Sequence, residues 1–312
     1  MNRGLGLESW ISSARCVWVC VFGLVLLSAS WSYARDVVDP VGRQVRVPER
    51  PQRIITMAPS LTEMVFALGA GYRVVGVSRY SNYPAFPKDL PRVGSYVHPD
   101  VEKIVALKPD LCLAIKDGNP REAVEKLESV GIPVYAVNPR TLGQVMETLL
   151  ALGDVLQVQN EAQALVADMR RRVQDVEKRL GTVLDRPRVF FQIGVSPIVS
   201  VGTETFAHEI IVRAGGRNVA EGPEPYPRFT LEQVMRLRPD FIIVSSMERE
   251  QVFEQVREQW LQWRGIPAAA MNRVSLVPSD LFDRPGPRLV EGLELLAKIL
   301  HPELFHDLPS AR

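Results

Sequence analysis

Apolar and polar positions run along this chain in two rhythms, and one segment carrying both recurs. Its first copy, Val101 to Leu107, has apolar residues at helical spacing, an acid (Glu102) in the first turn and the stop Lys108-Pro109-Asp110. Its second copy, Leu231 to Leu237, has Glu232 in the same place and the stop Arg238-Pro239-Asp240. Proline ends a helix because it lacks an N–H and clashes with the preceding turn. Each stop is followed by an unbroken apolar run, Leu111 to Ile115 and Phe241 to Val244, as expected of strands buried on both faces of a parallel sheet. Gly131-Ile132-Pro133 and Gly265-Ile266-Pro267 echo each other as well, at an offset of 134 residues against 130 for the first pair. Two echoes at nearly one offset predict two similar α/β lobes, not a short-period solenoid.

The pattern between the echoes fills in the lobes. Asp36 to Pro51 suits a small edge hairpin, and Arg53 to Met57 reads as the first core strand. Ser60 and Glu63 have capping-box spacing, predicting a helix that opens at Ser60 and stops at Gly69. Arg73 to Val77 is the next strand, completing a βαβ unit. Asn160 to Leu180 has no proline or glycine and repeats its apolar residues at helical spacing, which predicts one amphipathic helix of roughly 30 Å. The expected organisation is therefore a signal segment at 1–34, an N-terminal lobe at 35–157, a connecting helix at 158–182 and a C-terminal lobe at 183–312. In the last of these, Arg188 to Ile193 and Val274 to Val277 read as strands, and a final helix runs from Leu289 to Leu300.

Composition narrows the class. The 312 residues are 46% hydrophobic and 23% charged with a net charge of +1, so the chain has no basic excess of the kind a nucleic-acid surface needs. Near the start, Arg3 and Arg15 precede the apolar run Cys16 to Leu27, and Ser32-Tyr33-Ala34 supplies small residues at −3 and −1. That is the form of a cleavable secretory signal, too short for a comfortable membrane span, and it predicts export from the cytoplasm. Two of the three cysteines fall in that segment. Cys112 remains, and it reads as a packed apolar residue.

The chain has no phosphate loop, no Gly-x-Ser-x-Gly elbow and no spaced pair among its four histidines, so neither a metal site nor a common catalytic signature is expected. An exported α/β enzyme with dispersed catalytic residues stays open at this point. The remaining chemistry lies in loops at the carboxyl ends of strands, where α/β folds bind ligands. Tyr80 and Tyr96 come from the first half, and Tyr226, Asp280, Phe282 and Arg284 from the second. Ser60, opening the first helix, joins the ligand-facing set. Rings with a few polar anchors suit a large flat ligand, and Arg284 has a fork of donors for its rim. Asp280 and Arg284, four apart, also suit a local ion pair.

The segments Val77 to Pro84, Glu102 to Asp110, Gly131-Ile132-Pro133, Gln192-Ile193-Gly194 and Ser279 to Arg284 resemble the periplasmic receptors for iron-siderophores, haem and cobalamin, and within them the vitamin B12-binding group of ABC importers. The likeness runs from about Arg53 to Leu300. It implies two α/β lobes joined by one rigid helix, with the ligand between them. It implies no enzymatic activity and no resident cofactor, cobalamin or a related corrinoid as ligand, and action as a monomer. It further implies that Glu102 and Glu232, on opposite lobes, dock onto arginines of the permease dimer. A two-fold partner matches two carboxylates on similar lobes, although either glutamate alone is also a favourable first-turn acid. Family tryptophans of the cobalamin site correspond here to Tyr96, Tyr226 and Ile115. The tryptophans beyond the signal, Trp260 and Trp263, fall on an expected outer helix. Stacking area is therefore reduced, and haem or a ferric siderophore suits a similar cleft.

Overall fold

The computed structural model describes residues 34–85, 90–181, 183–245 and 250–306. The expected signal segment lies outside the described residues except for Ala34, which opens strand β1 (Ala34–Val38). This strand pairs with β2 (Gln44–Pro48) in the antiparallel hairpin the sequence suggested. Buried Asp39 fastens it to the first lobe: its carboxylate accepts from the N–H of Ala136 at 3.2 Å and from Arg43 Nε at 2.9 Å.

Four parallel strands form the first sheet in the order β4-β3-β5-β6. They are β3 (Ile54–Thr56), β4 (Val74–Val77), β5 (Leu111–Ile115) and β6 (Val134–Val137). Helices α1 (Pro59–Ala67), α2 (Val101–Ala106) and α3 (Arg121–Ser129) make the crossovers. Strand β5 is buried at its first four positions and β6 at all four, as continuous apolar runs require when helices cover both faces. Cys112 is buried in β5, and that burial pushes its thiol up to about 12.

Helix α1 departs from expectation at its start. It begins at Pro59, with Ala58 as N-cap and no side-chain cap. Proline is pre-shaped for a first helical position, so the helix starts one residue before Ser60. Ser60 and Glu63 thus lie inside the helix, not in a capping box, and both are buried.

Helices α4 (Leu142–Val155) and α5 (Gln159–Leu180) lead to the second sheet. One contiguous apolar core includes Leu149 of α4, Val166, Met169 and Val173 of α5, and residues of both lobes. Arg172 of α5 donates to both carboxylate oxygens of Glu294, at 2.8 and 2.6 Å, which ties α5 to α11 (Leu289–Leu300). The remaining strands are β7 (Arg188–Gly194), β8 (Ile198–Ser200), β9 (Arg217–Asn218), β10 (Arg228–Phe229), β11 (Phe241–Ser245) and β12 (Val274–Val277). Their order is β10-β8-β7-β11-β12, with β9 beside β7. The helices between are α6 (Phe206–Arg213), α7 (Leu231–Leu237), α8 (Glu250–Gln262), α9 (Pro267–Ala270) and α10 (Ser279–Phe282). Trp260 does not sit on an outer surface as expected. It is buried on the sheet, where its Nε1 donates to Gln192 Oε1 at 2.7 Å.

Candidate functional site between the lobes

The parallel strands of both sheets end toward one set of loops. From β3 comes the start of α1; from β4, Ser78 to Tyr83; from β5, Lys116 to Asn119; from β6, Asn138 to Arg140. In the second sheet β11 ends at Ser245, and β12 leads into α10 and Asp283-Arg284. Carboxyl ends of parallel strands leave unpaired backbone groups and loops free to vary, which is why α/β ligand sites form there.

Two strand ends and the loop that carries Tyr96 are joined by Asn119, which sequence reasoning missed. Its Nδ2 donates to the carbonyls of Met57 (3.1 Å) and Tyr96 (2.7 Å), and its Oδ1 accepts from the N–H of Ile115 (2.7 Å). Tyr96, half-buried, packs on Gly118: a Cβ there would stand 2.9 Å from the ring's Cδ2. The only sequence signal was Asn119-Pro120 ahead of a helix, and it does not reveal partners 62 and 23 residues away.

Beside Tyr96 the mouth is polar. Arg140 binds Asp117 through Nη2 at 2.5 Å and Nε at 3.0 Å. Burial pushes the Asp117 carboxyl up, but hydrogen bonds from Asn138 and Arg140 outweigh it and hold the group below its ordinary value. Tyr226, half-exposed in the loop before β10, approaches from the other lobe. Burial and then the Asp283 charge raise its phenol, and it also feels Arg140, Asp117 and Tyr96 across the gap. Asp283 itself is partly buried, and Ser245 Oγ donates to it at 3.2 Å. Burial pushes its carboxyl up to about 6 against that hydrogen bond.

Arg284 crosses between the lobes. Its Nη1 donates to Glu63 Oε1 at 2.8 Å and Asn82 Oδ1 at 2.7 Å; its Nη2 donates to the Tyr80 carbonyl at 3.2 Å and pairs with Asp280 Oδ1 at 2.6 Å. Asn82 Nδ2 donates to Asp280 Oδ2 at 3.0 Å. The Asp280–Arg284 ion pair expected of a turn is therefore present, but it belongs to a bridge to the first lobe. Arg288 stacks over Tyr83 at 3.9 Å and stands 3.7 Å from Glu63 Oε1. Burial raises the Glu63 carboxyl despite the opposing pull of Arg284 and Arg288.

The expected site residues divide accordingly. Tyr96 and Tyr226 lie within electrostatic reach of each other at the mouth, and the carbonyl of the exposed Tyr80 is held by Arg284. Phe282 does not present a face to the cleft: it is 1% exposed and packs on Phe191 at a ring separation of 5.4 Å. Phe282 and Leu281, both apolar, turn into the core, and the polar Asp280, Asp283 and Arg284 take the cleft side. Ser60 is also buried, below Gly286. A cavity of about 1000 Å³ lies elsewhere, where the lower end of the second sheet meets the end of α11.

Glu102 and Glu232 are both exposed in first turns. Helix α2 is capped by Asp100, whose side chain accepts from the Lys103 N–H. Helix α7 has a capping box of Thr230 and Gln233. The Glu232 backbone N–H and the Thr230 hydroxyl hold the Glu232 carboxyl below its ordinary value.

Comparison with known proteins agrees with this architecture. The profile of the periplasmic binding protein family matches residues 54–281. A vitamin B12-binding protein of Vibrio campbellii is 32% identical over 246 residues, 78% of this chain and 86% of its own length. An uncharacterized ABC transporter substrate-binding lipoprotein of Bacillus subtilis is 30% identical over 275 residues, 86% of each chain. The crystal structure of the periplasmic vitamin B12-binding protein of Vibrio cholerae superposes with a TM-score of 0.72 at 29% identity, covering 82% of this chain and 98% of that one. A periplasmic heme-binding protein of Pseudomonas aeruginosa gives 0.72 at 28%, covering 81% and 93%. This chain belongs to the periplasmic binding protein family, among the solute-binding proteins of ABC transporters.

Proposed function

We propose that the protein captures cobalamin or a related corrinoid in the periplasm and delivers it to the permease of an ABC importer. The observation that supports a flat, polar-rimmed ligand is that Tyr226 of the second lobe lies within electrostatic reach of Tyr96, Asp117 and Arg140 of the first, beside Asp283. Tyrosine rings supply stacking area, and their hydroxyls meet polar groups at the ligand's edge. The vitamin B12-binding relatives favour a corrinoid within that class. Two exposed first-turn carboxylates, Glu102 and Glu232, suit attachment to a two-fold basic partner.

The heme-binding relative supports haem as a second reading. One experiment separates the two. Purified mature protein is mixed with cyanocobalamin or haemin, desalted, and read by visible absorbance. Corrinoid colour in the protein fraction is the expected result; haem colour with no corrinoid colour overturns the corrinoid assignment.

A further inference from the structure

The bridge between the lobes has a charge arrangement that bears on which ligand the cleft accepts. Glu63 is 2% exposed, on the buried first half of α1. Two guanidiniums of the opposite lobe face it, Arg284 at 2.8 Å and Arg288 at 3.7 Å. Both terminal nitrogens of Arg284 already meet acceptors, two of them carboxylates. Arg288 lies against the Tyr83 ring and near Glu63 and Glu291. Further along the mouth, Arg140 is held by Asp117. Among the described residues of this bridge, three carboxyl groups, Glu63, Asp280 and Glu291, stand against the two guanidiniums Arg284 and Arg288, so there is no excess of cationic side chains there. Glu63 Oε2 and Arg288 Nε and Nη1 are buried with no hydrogen-bond partner among the described residues, so the Glu63–Arg288 contact is an ion pair at 3.7 Å closed off from solvent, not a free donor set open to a ligand anion.

We propose that Glu63 is a specificity-determining residue: by occupying Arg284 and Arg288 across the lobe gap, it sets the cleft for a tetrapyrrole with uncharged carboxamide arms and against one with carboxylate arms. The inference deepens the corrinoid reading and rests on the cleft being the ligand site. The physical basis is a difference of affinities. A carboxylate arm would have to displace Glu63 or Asp280 from Arg284, or sit beside them unpaired, whereas an amide loses nothing to either. Arg284, once freed, would bind a carboxylate in a charge-assisted, forked pair.

The test compares affinities for matched probes. Cyanocobalamin and its monocarboxylic derivative, with one carboxamide hydrolysed, are titrated into the wild-type protein and Glu63→Gln. Haemin and its dimethyl ester form a second matched pair. The wild type is expected to prefer the uncharged member, and Glu63→Gln to reduce that preference about tenfold, equivalent to ~1.4 kcal/mol. Glu63→Asp, which restores the charge, should restore the preference. An unchanged ratio, or equal loss for both members of a pair, marks a merely structural glutamate and overturns the proposal. If Glu63→Gln does not fold, Asp280→Asn removes a carboxylate from the same arginine, and its ratio must shift in the same direction. Binding of the haem pair alone would defeat the corrinoid reading, yet the ratio within that pair would still decide the role of Glu63.

Discussion

Replacing Asp283 with asparagine should stabilise the protein at pH 8 and do little at pH 4. Asp283 is partly buried at the end of α10, with one hydrogen bond from Ser245 Oγ at 3.2 Å. Burial moves its carboxyl from an ordinary 3.8 to about 6, and Asp280 adds to the rise while Arg284 opposes it. At about 1.36 kcal/mol per pH unit, that difference amounts to roughly 3 kcal/mol. The sign follows from linkage: the folded state holds the proton more tightly than the unfolded state. Its contribution is fully present below pH 3.8 and is lost as pH rises through about 6. Asparagine stays neutral, and its Oδ1 can still accept from Ser245. Urea denaturation of both proteins at pH 4 and pH 8 should therefore give a gain near zero at the lower pH and up to ~3 kcal/mol at the higher one. A gain that does not change with pH, or a loss at pH 8, would refute the reasoning.

Three further outcomes are expected. Asn119→Ala removes the tie joining two strand ends to the Tyr96 loop and leaves the Met57 and Tyr96 carbonyls and the Ile115 N–H without their partner; urea melts should show a loss of about 2–4 kcal/mol, and corrinoid retention on a desalting column should fall with it. Trp260→Phe leaves buried Gln192 Oε1 without its 2.7 Å donor, so stability should drop by about 1–3 kcal/mol in the same assay, and no change would mean that another donor takes its place. Charge reversal at both Glu102 and Glu232 should abolish uptake in a reconstituted transport assay without altering corrinoid affinity; weaker binding would count against a docking role for these exposed positions.

Much of the scaffold was legible because it depends on local order. Helical spacing, proline stops and apolar runs lie within short windows, so the strands at Leu111 and Phe241, the long helix ending at Leu180 and the recurrence of Glu102 as Glu232 could be read directly. The two recurring segments also share nearly the same burial pattern, because each places one apolar face on its own sheet. Where local reading failed, two rules competed at one place. Ser60 and Glu63 had the spacing of a cap, but Pro59 took the first helical position and carried both inside. In the Asp280-Leu281-Phe282 turn, spacing alone did not say which residues faced the cleft, and Phe282 went to the core.

The sequence by itself determined two α/β lobes, their connecting helix and the pair of exposed acids, since these follow from backbone preference and from burying apolar surface on neighbouring elements. Only the tertiary structure decided the chemistry of the cleft. Glu63 and Arg284 are 221 residues apart, and Asn119 reaches a carbonyl 62 residues away. No periodicity records such partners, because a side-chain hydrogen bond needs only proximity and direction, and those exist once both lobes have folded against the same helix.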